Sequence, residues 1–231
     1  MSLEKALEAI CNGKMILLFD AEDREGETDL VIPALCVCPA DIARMRIDGG
    51  GLICVAIHGT AAERLGLPFM SELLKNASLN GHSSLRSLVE KKGDIPYDSR
   101  SSFSLWVNHR DTFTGITDND RALTINRIGD AVSMVMNGEN IDFGSEFRSP
   151  GHVALLRAAS GLLHERRGQT ELSIQLALMA GITPSMVVCE MLDWKTGKAL
   201  SKEDAIKYSH QSGMPFVEGK NILEEGLILN R

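Results

Sequence analysis

Ten consecutive residues, 20–29, read DAEDREGETD and hold six carboxylates and one arginine, with the apolar blocks MILLF and LVIPAL close on either side. Burying both flanks while keeping the middle hydrated leaves few folds open. The acids must turn at the end of a sheet, between two strands whose side chains enter the core. In that place they are either a solvated surface turn or a group gathered around something positive. If the segment stays extended, the alternation in REGETD puts Glu25, Glu27 and Asp29 on one side. Carboxylates held side by side raise one another's pKa and offer hard oxygen donors to a cation such as Mg²⁺. Arg24 can balance part of that charge or grip a phosphate.

The 231-residue sequence reads as one domain, 1–231. LEKALEAI is an amphipathic helix with Ser2 as its cap and Gly13 as its stop. KMILLF, LVIPAL, LICVAI, FSLWVN, HVALLRA and SMVVCEML read as strands. ADIARMRID, AAERLG, the long RALTINRIGDAVSMVM, the segment after ERRGQTEL and KEDAIKYSHQ read as helices. Strands and helices mix without a strict βαβ repeat, which predicts an α+β fold with a mixed twisted sheet flanked by helices. Residues 80–102 are polar and irregular, a length that suits a mobile or functional loop able to cover a site.

Composition excludes several classes. A net charge of −7 and 5% aromatic residues argue against a nucleic-acid binder. No apolar run approaches the ~18 residues of a membrane span. The N-terminus carries acids and does not resemble a secretory leader, so a cytoplasmic location is expected. The five cysteines (11, 36, 38, 54 and 189) are odd in number and lie mostly in apolar surroundings, as reduced thiols do. Cys36 and Cys38 lack the second pair that a zinc site would need.

Three further segments carry chemistry. In ERRGQTEL, Arg166, Arg167, Gly168 and Thr170 open a helix, where guanidinium groups and free backbone N–H groups favour an anion; an ordinary capped helix would look similar. His152 follows Pro-Gly at a strand entrance and is either structural or catalytic. Glu190 interrupts an apolar strand, so it sits at the strand's end in a cleft or has a partner. Buried, it would hold its proton more tightly than usual and suit proton transfer. A cation site, an anion site and a spare acid or histidine together suit a small phosphorylated substrate.

The same segments resemble the 3,4-dihydroxy-2-butanone 4-phosphate synthase family, and the correspondence covers nearly the whole chain. DREGETDL resembles its acidic signature and GGLICVAI its cysteine-bearing strand. TGITDNDRALTI, RSPGHVALLRA, RGQTEL and VVCEM match further motifs in order, closest to archaeal members. The resemblance implies a lyase that converts ribulose 5-phosphate to a four-carbon phosphate and formate. It implies Mg²⁺ or Mn²⁺ at two ions per site, a three-layer α+β sandwich, and a homodimer with active sites at the subunit interface. Carried over by position, Glu25 is a metal ligand, and Arg24 and Asp29 contact the sugar. Arg166, Arg167, Gly168, Gln169 and Thr170 hold the phosphate end. His152 and Glu190 are essential catalytic groups, Glu27, Asp29 and Cys54 are catalytic residues lining the site with them, and Thr114 binds substrate.

One position departs from the pattern. Where the family carries a histidine that ligates the metal, this chain has Gln169, an amide oxygen in place of an imidazole nitrogen. Three rival readings follow: a binding protein that has lost the metal, a sugar-phosphate isomerase using the same enediolate, and a nucleotide-binding module of related fold.

Overall fold

The computed structural model of the protein describes residues 3–229; the expected cap, Ser2, lies outside them. Seven strands form one sheet in the order β4-β5-β3-β6-β2-β1-β9. They are β1 (Ile16–Phe19), β2 (Thr28–Pro33), β3 (Cys54–Ile57), β4 (Phe103–His109), β5 (Phe147–Arg157), β6 (Ser185–Glu190) and β9 (Phe216–Glu218). Strands β7 (Leu192–Asp193) and β8 (Lys198–Ala199) make a separate hairpin. Pairing is parallel for β1–β9 and β3–β5 and antiparallel for β1–β2, β2–β6, β3–β6 and β4–β5, so the sheet is mixed as expected.

Period-two alternation sends successive side chains to two different cores. Leu17, Leu30, Val55 and Val187 pack with α2 (Pro39–Asp48), α3 (Gly59–Arg64), α5 (Asp118–Met136) and α8 (Lys202–Ser212). Leu18, Val31, Cys54 and Val188 pack with α1 (Leu3–Cys11), α7 (Gln169–Met179) and α9 (Gly219–Leu229). Helices cover both faces, which is why MILLF and LVIPAL read as unbroken apolar runs and not as alternating strands. The result is the three-layer sandwich implied above.

Two differences from the sequence reading have physical causes. Helix α4 (Met70–Leu79) buries none of its residues, so no core-facing period marks it. Strand β5 starts at Phe147, five residues before HVALLRA, because its first half pairs with β4 through register shifts that polar residues tolerate at an edge. The short α6 (Phe143–Glu146) leads into it. Helix α7 is the buried centre of its layer: every residue of 169–177 is buried. Its cap is Gly168, with no side chain to occupy the first backbone N–H groups.

Candidate active site

Strand β2 begins inside the acidic run, at Thr28, so Asp29 is a strand residue facing Leu18 on one side and Glu190 on the other. Cys54 faces Val188 across β3–β6. By alternation, Asp29, Cys54, Val188 and Glu190 all point to the α7 face, where they line one cavity of about 150 Å³. The same cavity is lined by Glu25 and by Arg166, Gln169 and Thr170. The acidic loop and the arginine turn therefore meet, although more than 130 residues separate them in sequence.

The six acids divide by role. Asp20 is buried and takes no part in the cavity; its carboxylate accepts N–H groups of Glu25 (3.1 Å) and Glu27 (3.0 Å) and so shapes the turn. Gly26 supplies the left-handed residue, φ +67°, that this turn requires. Glu22 and Asp23 are exposed. Glu25 and Asp29 remain for the cavity, and Glu27 lies close enough to Glu190 to feel its charge.

Burial makes these acids unusual. Glu25 is pushed up to about 7, by burial first and the Asp20 charge second, against the pull of Arg166 and Arg24. Asp29 is 1% exposed, and neither carboxylate oxygen has a hydrogen-bond partner within the protein. Burial, then Glu190 and the loop acids, hold its proton well above the ordinary carboxylate range. Glu190 is raised by burial too, and Glu27 by burial and then by Glu190. The charge of Glu190 across the strand pair is thus one of the causes that keep the proton on Asp29. Cys54 is a buried thiol whose proton burial holds firmly, so it lines the cavity and is no ready nucleophile.

The arginine turn is built from inside. Buried Glu171 binds the Arg166 guanidinium at 2.6 Å and accepts the Ala159 N–H at 2.9 Å. A Cβ at Gly168 would stand 2.3 Å from Arg166 Nη1, so any side chain there displaces the guanidinium. Gln169 donates both amide hydrogens to backbone carbonyls, Leu18 O and Glu27 O, each at 3.1 Å. That anchorage fixes its Oε1, which is buried and has no partner. Arg167 is exposed and lines a neighbouring outer cavity with Arg24.

An oriented, unpaired amide oxygen on a residue that lines the same cavity as Glu25 adds a hard donor to that cavity. No cluster of three or more His, Cys, Asp or Glu suited to a metal occurs among the described residues. These residues therefore fit a small hard cation that keeps water or substrate oxygens in most of its positions, as Mg²⁺ does, and not a soft metal in a protein cage.

Sequence reasoning missed the residues that hold these groups. Asp98, from the 80–102 loop, lies 3.0 Å from Arg24 Nη2 and 2.6 Å from Arg166 Nε, and so ties the loop down over the site. The Arg24 guanidinium stands 5.9 Å from the Tyr97 ring centre, and Arg100 pairs with Glu165 at 3.1 Å. Even so, Arg24 Nε is buried without a hydrogen-bond acceptor. Loop length was the sole hint, because the partners lie far from the loop in sequence, Arg24 before it and Glu165 and Arg166 after it.

His152 and Thr114 fall elsewhere: neither lines the cavity. They form a second cluster at the β4–β5 edge. His152 is exposed and bonded to Asn108 on β4. Thr114 sits in a turn whose N–H groups and hydroxyl converge on Asp120. Gly115 of that turn packs against the Asn108 amide. Beside them Phe113 is 95% exposed and Ile116 50% exposed.

Comparison with known proteins shows the family of the chain. The sequence model of the 3,4-dihydroxy-2-butanone 4-phosphate synthase family matches residues 4–225. A relative of that name from Archaeoglobus fulgidus is 61% identical over 224 residues, covering 97% of this chain and 93% of the relative. One from Methanosarcina mazei is 58% identical, covering 98% and 92%. Among solved structures, the 3,4-dihydroxy-2-butanone 4-phosphate synthase of Candida albicans superposes with a TM-score of 0.75 at 28% identity, covering 97% of both chains. Another, in complex with two magnesium ions, gives 0.78 at 24% identity over 97% and 96%, a likeness of fold.

Proposed function

This chain belongs to the 3,4-dihydroxy-2-butanone 4-phosphate synthase family, and we propose that it does its chemistry in the cavity between the acidic loop and the arginine turn. The reaction takes D-ribulose 5-phosphate to L-3,4-dihydroxy-2-butanone 4-phosphate and formate, in riboflavin biosynthesis. The observation that carries the placement is convergence: a set of carboxylates whose protons are held tightly and a guanidinium group fixed by Glu171 line one small cavity.

Each residue has a task. Arg166, Thr170 and the uncapped N-terminus of α7 hold the phosphate, with Arg167 and Arg24 at the outer mouth, and Gly168 leaves room for the guanidinium. Glu25 and Gln169 Oε1 hold the divalent cation, Mg²⁺ or Mn²⁺, and two ions per site are part of this reading. When bound, it supplies a fixed positive charge that stabilises negative charge on the sugar oxygens. Asp29, whose proton burial and the Glu190 charge hold, donates to a departing hydroxyl, and Glu190 accepts a proton from the carbon next to the carbonyl. Glu27 adjusts that pair through its charge. Cys54 and Val188 form the wall that keeps water out.

His152 and Thr114 reach a substrate only if a second copy brings them to the cavity. The exposed Phe113 and Ile116 beside them are the apolar surface such a contact would bury. The working unit is therefore a homodimer with its sites at the subunit interface, each subunit acting as one domain. We read its location as cytoplasmic; the described cysteines are unpaired, and no described helix is long and apolar enough to cross a membrane.

Ribulose 5-phosphate labelled at C4 tests the assignment. Labelled formate, released with Mg²⁺ and lost in Glu190→Gln, is expected. An isomeric pentose phosphate without formate would refute it.

A further inference from the structure

The ring of His152 is held by one residue on one side. Asn108 is fully buried; its Oδ1 accepts the backbone N–H of His152 at 2.8 Å, and its Nδ2 lies 3.1 Å from His152 Nδ1. The first bond settles the second. A backbone N–H only donates, so the amide atom facing it is the oxygen, and the atom facing Nδ1 is the NH₂. An NH₂ group only donates, so Nδ1 accepts. A neutral imidazole whose Nδ1 accepts carries its proton on Nε2.

Close packing holds the amide in this place, and the His152 N–H fixes which end is oxygen. A Cβ at Gly115 would lie 2.0 Å from Asn108 Nδ2, and one at Gly151 would lie 2.3 Å from the Asn108 backbone nitrogen, so two glycines close around the residue. Gly115 has φ +91°, a conformation that L side chains avoid, and its backbone N–H is fixed on Asp120 at 2.8 Å.

From this geometry we infer that Asn108 is a positioning residue that presents His152 as a neutral Nε2–H donor. The inference rests on the reading that His152 completes the site of a second copy. There the ring gives a hydrogen bond to the sugar-phosphate oxygen on which enediolate charge develops, and it takes no proton from carbon. Proton transfer then falls to the carboxylates Asp29, Glu190 and their neighbours. A carboxylate at 108 would do the opposite: it would accept from Nδ1–H and leave Nε2 a bare acceptor.

The test compares Asn108→Asp with Asn108→Ala at pH 9, where an ordinary imidazole carries a single proton. Asp keeps the shape and the bond to the His152 N–H; Ala keeps neither. If Asn108 serves only to support the fold, Asp should outperform Ala. The inference predicts the reverse, with kcat for formate release down about a hundredfold or more in Asn108→Asp, KM within about threefold, and Ala less impaired. Imidazole ¹⁵N spectra of the wild-type protein, with His152→Gln for assignment, should show the Nε2–H tautomer, and Asn108→Asp should show Nδ1–H. A wild-type Nδ1–H tautomer, or Asp turning over faster than Ala, overturns the inference; the spectrum decides even if a variant fails to fold. A tautomer that switches while kcat stays unchanged would instead remove His152 from the site and overturn the reading beneath it.

Discussion

Replacing Glu25 by Gln should stabilise the metal-free protein at pH 8 and do little at pH 5. Folding raises the Glu25 pKa from the ordinary 4.5 to about 7, through burial and then the Asp20 charge. Between those values the folded chain binds more protons than the unfolded one, so stability falls as pH rises through the window and levels off above 7. The full gap corresponds to about 3 kcal/mol at ~1.4 kcal/mol per tenfold. The Glu25 side chain is 20% exposed, and solvent screening reduces this to roughly 2 kcal/mol. Glutamine keeps the shape and has no charge to lose, so the variant escapes the penalty. For a chain of this size the expected gain in Tm is about 4–8 °C at pH 8, shrinking below the equivalent of about 1 kcal/mol at pH 5. Thermal unfolding in EDTA at the two pH values measures it directly. A difference that does not change with pH, or that grows toward pH 5, would show that burial does not raise this acid and that the site stores no such strain.

Other outcomes follow from single contacts. Gly168→Ala should raise KM for the sugar phosphate about tenfold with a smaller effect on kcat, because the new Cβ displaces the Arg166 guanidinium; steady-state kinetics separate the two. Gln169→Leu should weaken Mg²⁺ binding about tenfold or more by calorimetry, and unchanged affinity would remove residue 169 from the cation site. Asp98→Asn should make residues 80–102 several-fold more sensitive to limited proteolysis, since Asp98 ties that loop to both arginines; equal cleavage would show that other contacts hold it.

How far the sequence reveals this site depends on range. The apolar blocks around the acidic loop specify a sheet buried on both faces, and the interrupted strand at Glu190 locates an acid at a strand end, because both are local patterns. Which of the six acids does what was not legible. Asp20 is spent on two backbone N–H groups, a fact set by the turn's shape, while the pairing of Asp29 with Glu190 depends on a strand register between distant segments. Helix α4 left no trace in the pattern because it buries nothing. Asp98, Glu171 and Asn108 escaped notice for a related reason. Each supports a site residue from another part of the fold, and an isolated Asp, Glu or Asn has many uses in a chain. Resemblance to the family placed His152 in the site; the geometry places it on an exposed edge of the subunit, bonded to Asn108.

The central claim, that one subunit's acids and arginines work on a substrate with the other's histidine, is tested most directly by mixing two dead variants. Glu190→Gln damages the cavity and His152→Ala the edge cluster. After co-refolding at equal amounts, half the dimers pair one with the other, and each such dimer holds one intact site. Formate release should recover to about a quarter of wild type. Activity no higher than the mean of the two separate variants would contradict the account, placing both residues in the site of a single subunit.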